Sequence, residues 1–141
     1  KHLAHAIQYG RFNIIQVHRI PDNWRTDRDF FQGITFWNAM KPEELYFLDS
    51  YFNFDGYVLD SYNPDTIGGT GEVCDWKKAA QLVCALKQPI ILAGGLNPDN
   101  VTEAIRTVMP YGVDVSSGVE SEAGKKDLKK VKAFLHAVRK S

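Results

Sequence analysis

Two glycines, Gly94 and Gly95, follow the apolar run Ile90-Ile-Leu-Ala93 and lead directly into Leu96-Asn-Pro-Asp-Asn-Val101. Glycine lets main-chain amides approach an anion with no Cβ in the way. Asn97 is a suitable N-cap, Pro98 fits the first helical position and Asp99 lies just inside, so the spacing predicts a helix with Val101, Ala104, Ile105 and Val108 on one face. An anion at such a strand-to-helix corner meets exposed N–H groups and the positive end of a helix dipole. A second corner of similar design follows at Gly112-Val-Asp-Val-Ser-Ser-Gly-Val-Glu120. A lone Gly-Gly pair reads as a tight turn. Two corners after successive strands read as one phosphate site, the arrangement found after the last two strands of a (β/α)8 barrel.

Asp60 is the outstanding titratable group. It ends the apolar strand Tyr57-Val-Leu-Asp60 and precedes Ser61-Tyr-Asn-Pro-Asp-Thr-Ile-Gly-Gly-Thr-Gly71, a loop long and glycine-rich enough to fold over a ligand. A carboxyl desolvated there holds its proton to higher pH and can act as a general acid; capping a turn is the plainer role. His18, Asn38, Asp114, Ser116, Ser117 and Gly118 are the other groups expected at strand ends. His18 suits a structural hydrogen bond as readily as catalysis. Cys74 and Cys84, the only thiols, lack the paired spacing of a zinc site and are expected to be reduced; no metal site is expected.

Short apolar strands alternating with helical patterns supply the frame for these groups. About five βα units are legible, with strands at Asn13 to His18, Ile34 to Trp37, Tyr57 to Asp60, Ile90 to Ala93 and Val113 to Val115. Leu3, Ala6 and Ile7 mark an opening helix ended by Gly10, and a charged helix starts at Asp22 or Asn23 and finishes near Phe30 and Phe31. Pro42 opens the helix through Leu48, and Asp75 caps a helix from Trp76 to Leu86 whose buried stripe is Ala79, Ala80, Leu82, Val83 and Leu86. The same reading places Cys84 on that stripe. A last helix carries Leu128, Val131, Phe134, Leu135 and Val138 on one side, and Lys125, Lys126, Lys129, Lys130 and Lys132 form a solvated face. Right-handed crossovers make all strands parallel, so their C-terminal ends open on one side, where function concentrates.

Composition sets the class. With 44% hydrophobic and 24% charged residues, the 141-residue chain reads as one globular domain over residues 1–141. Basic and acidic residues balance at 17 each, so the overall field recruits neither nucleic acid nor an anionic membrane. No apolar run approaches the roughly 20 residues of a membrane span, and the opening Lys1-His-Leu-Ala-His lacks the build of a secretion signal. A cytoplasmic protein is expected.

Several segments then resemble one family. Leu59-Asp60, Gly68-Gly-Thr-Gly71, Asp75-Trp76, Leu92-Ala-Gly-Gly-Leu-Asn-Pro98, Asn100-Val101 and Val113-Asp-Val-Ser-Ser-Gly-Val-Glu120 with Gly124-Lys-Lys-Asp127 resemble phosphoribosylanthranilate isomerase of tryptophan biosynthesis. The match covers about residues 56 to 135, and Ile15-Gln-Val-His18 is similar to the family's fourth strand. Arg19 stands where that family has Gly, and Cys74 where Phe is common. The resemblance implies a cofactor-free Amadori rearrangement of N-(5-phosphoribosyl)anthranilate, from an aminoaldose to an aminoketose. Asp60 would protonate the ribose ring oxygen, Gly94, Gly95, Ser116, Ser117 and Gly118 would hold the phosphate, Asp114 would face the ribose hydroxyls, and Gly68 and Gly69 would belong to the closing loop. His18 is a further substrate-side candidate.

The family's opening Lys-x-Cys-Gly-Ile strand and its next two βα units have no counterpart here. That leaves out the cysteine general base and the region of an Arg that meets the anthranilate carboxylate. The expected fold is therefore a (β/α)8, TIM-type barrel reduced to about five units, strands four to eight. Its open edges call for the N-terminal barrel segment as a separate polypeptide, a second copy of the chain, or preceding residues of a longer chain. Cys74 is the nearer substitute thiol, although packing is the simpler role for it. Two other readings stay open: a non-catalytic fragment that binds phosphate and associates, and a related ribose-phosphate barrel enzyme.

Overall fold

The computed structural model describes residues 9–10, 12–18, 32–45, 54–61 and 74–141. Five parallel strands form one sheet in sequential order: β1 (Ile14–His18), β2 (Thr35–Met40), β3 (Gly56–Leu59), β4 (Ile90–Leu92) and β5 (Gly112–Val113). Helices α1 (Pro42–Leu45), α2 (Trp76–Ala85), α3 (Val101–Val108) and α4 (Leu128–Arg139) follow β2, β3, β4 and β5. The five expected strands are all present.

Strand alternation sorts the sheet into two faces. One face presents Phe36, Met40, Tyr57, Leu59, Ile90 and Leu92 to the helices, where Ala79 and Leu82 of α2, Val101, Ala104 and Val108 of α3 and Phe134 of α4 complete the main core. Phe36, Leu59 and Leu92 are fully buried, each worth roughly 1.5–3 kcal/mol of apolar transfer. The other face carries a separate small cluster of Ala39, Val58 and Ala93 with Trp37 and Ile91. A doubly wound sheet puts helices on both faces and reverses its strand order at a switch point. Here the order never reverses and the packed helices share one face, the layout of a barrel wall. Among the described residues the wall does not close, and β1 and β5 are its edges.

Several expectations shift. The strand predicted from Ile34 to Trp37 runs on to Met40, so Asn38 lies inside β2, 3% exposed, and not at a strand end. The helix expected to begin at Pro98 begins at Val101. Residues 98–100 form a turn that Asn97 caps, its Oδ1 accepting from Asp99 N at 2.9 Å and Asn100 N at 3.1 Å. Asp75 caps α2 as expected, its side chain accepting from Lys78 N. Cys84, however, is exposed. At 100° per residue it lies 200° from Leu82 and 140° from Ala79, the two buried residues of α2, and so falls on the far side. On α4, Phe134 is buried and Val131 and Val138 are half-buried, while Leu128 and Leu135 are exposed. An antiparallel hairpin, β6 (Glu120–Glu122) with β7 (Lys125–Lys126), was not expected; its strands are short and polar, without apolar alternation. Of the helix predicted near Leu3 only Tyr9 and Gly10 are described, and they are helical; the helix predicted near Asp22 and the loop with Gly68 and Gly69 lie outside the described residues.

Candidate functional site

The strand ladder continues one residue past β3, β4 and β5. Asp60 N donates to Met40 O at 3.0 Å, Ala93 N to Leu59 O at 2.8 Å and Asp114 N to Leu92 O at 2.9 Å. These bonds set Asp60, Ala93 and Asp114 in one row, two residues beyond Val58, Ile91 and Gly112 and therefore on the face away from the helices. Asp60 and Asp114 are two strands apart, roughly 10 Å at ordinary strand spacing. Ala93, 3% exposed, is the residue between them in that row.

Gly94 turns the chain at the end of β4 with φ +82°, and Gly95 follows at φ +65°. A Cβ on Gly94 would stand 2.8 Å from Asp60 Oδ1 and 2.5 Å from Ser61 N and Oγ. The glycine corner and the Asp60 carboxyl are therefore in direct contact. The second corner packs on the first: a Cβ on Gly118 would reach within 1.8 Å of Leu96 O, so no side chain fits between them. Among the described residues the N–H groups of Gly94, Gly95, Leu96, Ser117 and Gly118 donate to no protein acceptor. Unpaired amides gathered in one place are what an anion needs.

Side chains beyond the expected set hold this geometry. Asn100 Nδ2 donates to Gly95 O at 3.0 Å, and its Oδ1 accepts from Asn97 N at 2.8 Å. Lys126 Nζ donates to Ser116 O at 2.9 Å, Ser116 Oγ at 3.2 Å and Glu120 Oε1 at 2.6 Å, while Lys130 Nζ donates to Glu120 O at 2.7 Å. The Lys126 ammonium and the Gly124 N–H hold the Glu120 carboxyl below its ordinary range. The lysines are exposed, as a solvated face requires, yet two of them tie the hairpin and α4 to the second corner. A groove of about 570 Å3 runs there, walled by Asn97, Ser117 and Gly118 and by Lys129 and Lys130 of α4; Gly94 and Gly95 are not on its wall.

His18 ends β1, exposed, on the same face as Ala39, and Gln16 Nε2 donates to its Nε2 at 3.1 Å. It stands three strands from Gly94, away from the two corners. Cys74 is buried, and burial above all, followed by the charges of Asp60, Glu43 and Asp75, pushes its thiol up to about 12. Among the described residues no group of three or more His, Cys, Asp or Glu is placed to hold a metal ion, and no helix is long and apolar enough to cross a membrane.

Sequential parallel strands, helices on one face, and an acid with two amide-bearing corners at the C-terminal strand ends define a (β/α)-barrel chain whose chemistry gathers at that end. Residues 2–137 match the family described as N-(5'phosphoribosyl)anthranilate (PRA) isomerase, and the chain belongs to that family. It is 39% identical over 148 residues to the N-(5'-phosphoribosyl)anthranilate isomerase of Acetivibrio thermocellus, covering 99% of this chain and 67% of the relative. The crystal structure of the Thermotoga maritima enzyme superposes with a TM-score of 0.77 at 31% identity, over 97% of this chain and 66% of that one. A phosphoribosyl anthranilate isomerase in complex with reduced 1-(o-carboxyphenylamino)-1-deoxyribulose 5-phosphate is similar at a TM-score of 0.72 and 28% identity, over 97% and 64%. The chain spans 38 to 67% of the length of the curated relatives it matches.

Proposed function

We propose that residues 1–141 form one partial barrel domain, equivalent to strands four to eight, that contributes the acid and the phosphate site to the Amadori rearrangement of N-(5-phosphoribosyl)anthranilate in tryptophan biosynthesis. The observation that carries this reading is the contact between Asp60 and the Gly94 corner, with the Gly118 corner packed against Leu96 and Asn97 just beyond it. A sugar phosphate held by the amides of Gly94, Gly95, Ser117 and Gly118 would place its ring beside the Asp60 carboxyl. Proton donation from Asp60 to the ring oxygen opens the furanose to a Schiff base, and removal of the C2 proton then gives the enol that becomes the ketose. Asp114, in the same row, faces the ribose hydroxyls, and the loop of Gly68 and Gly69 closes over the substrate. Within this scheme the chain uses no cofactor, and His18 stays on the substrate side of the sheet, away from the phosphate.

The base for C2 comes from the rest of the barrel. Cys74 is a poor substitute, because burial and the charges of Asp60, Glu43 and Asp75 push its thiol up to about 12, away from the thiolate form. The completing piece is then an N-terminal barrel segment carrying the first three βα units, whether on a separate polypeptide or preceding these residues on a longer chain, and a second copy of the chain is the competing arrangement. Its ordinary charged composition supports a cytoplasmic setting. The assay is loss of anthranilate fluorescence, with the first three units of the Thermotoga maritima relative supplied in trans. Turnover is expected in the mixture, falling about a hundredfold or more in Asp60→Asn with KM little changed, the scale of a lost general acid. A mixture that associates yet never turns over would leave the non-catalytic phosphate-binding fragment as the better account.

A further inference from the structure

The two corners share a device. In each, a side-chain donor holds one main-chain carbonyl and the next amide is left without a protein partner. Asn100 Nδ2 holds Gly95 O at 3.0 Å; Lys126 Nζ holds Ser116 O at 2.9 Å. The peptide bonds here are trans, and in a planar trans peptide the C=O and the N–H point in opposite directions. Turning the Gly95 carbonyl toward Asn100 therefore aims the Leu96 N–H the other way. Turning the Ser116 carbonyl toward Lys126 does the same for the Ser117 N–H.

Each holder makes further bonds. Asn100 is also engaged through Oδ1, and the Lys126 ammonium spends its three protons on Ser116 O, Ser116 Oγ and Glu120 Oε1. The Ser116 carbonyl also accepts from Val119 N at 3.4 Å, within the turn that follows it.

We propose that Asn100 and Lys126 are positioning residues, which touch no substrate but fix the Leu96 and Ser117 amides in the orientation that receives the sugar phosphate. The inference rests on the phosphate reading above and adds to it the two residues that set the geometry. A merely structural role would lower stability without distinguishing one corner from the other. The experiment is a titration of the 15N-labelled chain with inorganic phosphate, followed by amide NMR.

In the unsubstituted chain both the Leu96 and the Ser117 resonances are expected to move. Lys126→Met is expected to abolish the Ser117 response, keep that of Leu96 and weaken phosphate binding about tenfold, the scale of one charge-assisted hydrogen bond. Asn100→Ala is expected to do the converse, and Lys126→Arg to keep the Ser117 response. Unchanged Val58 and Ile91 resonances report an intact sheet. Should Lys126→Met lose them, Lys126→Arg decides alone: a retained Ser117 response supports the proposal, and its loss with the sheet intact overturns it. Both corners responding normally in Lys126→Met and Asn100→Ala would overturn the positioning role and leave the phosphate site standing. No response at either corner in the unsubstituted chain would overturn the phosphate reading, and the positioning role with it.

Discussion

Cys74 and Cys84 show how far a residue's chemistry depends on its surroundings. The Cys74 thiol sits in the main core with carboxylates nearby, and burial with their charges pushes it up to about 12, so it stays protonated at neutral pH. Cys84 lies on the open side of α2. An aryl disulfide reagent at pH 8 is expected to modify Cys84 promptly and Cys74 only after denaturation, as read by peptide mapping; comparable labelling of both in the folded chain would refute the burial argument. Because folding raises the Cys74 value above the ordinary 9.0, the unfolded chain loses that proton first, and stability falls as pH rises between 9.0 and about 12. Asp60, Gly94 and Gly118 were legible in the sequence because a strand-end acid and corner glycines are marked by residue type. Asn100 and Lys126 were not legible in their roles. Their partners are carbonyls, which every residue has, and only the folded chain shows which carbonyl a given amide or ammonium meets.

Among the elements, β3 and β4 were the plainest strands, since a strand covered on both faces shows a continuous apolar run with no polar alternation to obscure it. Boundaries were less legible. Asn97 does cap, but it caps a turn, because Asn100 draws the chain back onto Gly95 before α3 can begin. The β6–β7 hairpin left no apolar trace, being held by charge and by Glu120. That carboxyl accepts from Lys126 Nζ and from Gly124 N at 3.1 Å, and both bonds hold it below its ordinary 4.5. The sign follows: a depressed carboxylate supports the hairpin above its ordinary value, and that support is lost as pH falls through the folded one. The Gly124 amide resonance is therefore expected to titrate with a midpoint below 4.5, and Glu120→Gln is expected to abolish that titration. A midpoint at or above 4.5 would mean that the bonds to Lys126 and Gly124 do not form in solution.

At the scale of the whole molecule, among the described residues the sheet ends at β1 and β5 with apolar groups bare at both margins. Ile14 on β1 is 52% exposed, Tyr111 before β5 77% and Leu128 on α4 72%. A parallel edge strand offers unpaired N–H and C=O groups as well as apolar surface, and soluble chains rarely leave both uncovered. Five of eight units is about 63% of a barrel, close to the 66% of the Thermotoga maritima chain that this one covers. Three further units would pair both edges at once. A second copy would bring five strands where the gap takes three. Supplying the first three units of that relative at a hundredfold excess over Kd is thus expected to stabilise this chain by about 2.7 kcal/mol and raise Tm by roughly 5–10 °C. It should also reduce binding of a hydrophobic dye. Sedimentation is expected to give a one-to-one complex. An unchanged Tm together with a stable homodimer of the 141-residue chain would instead assign the open edges to self-association.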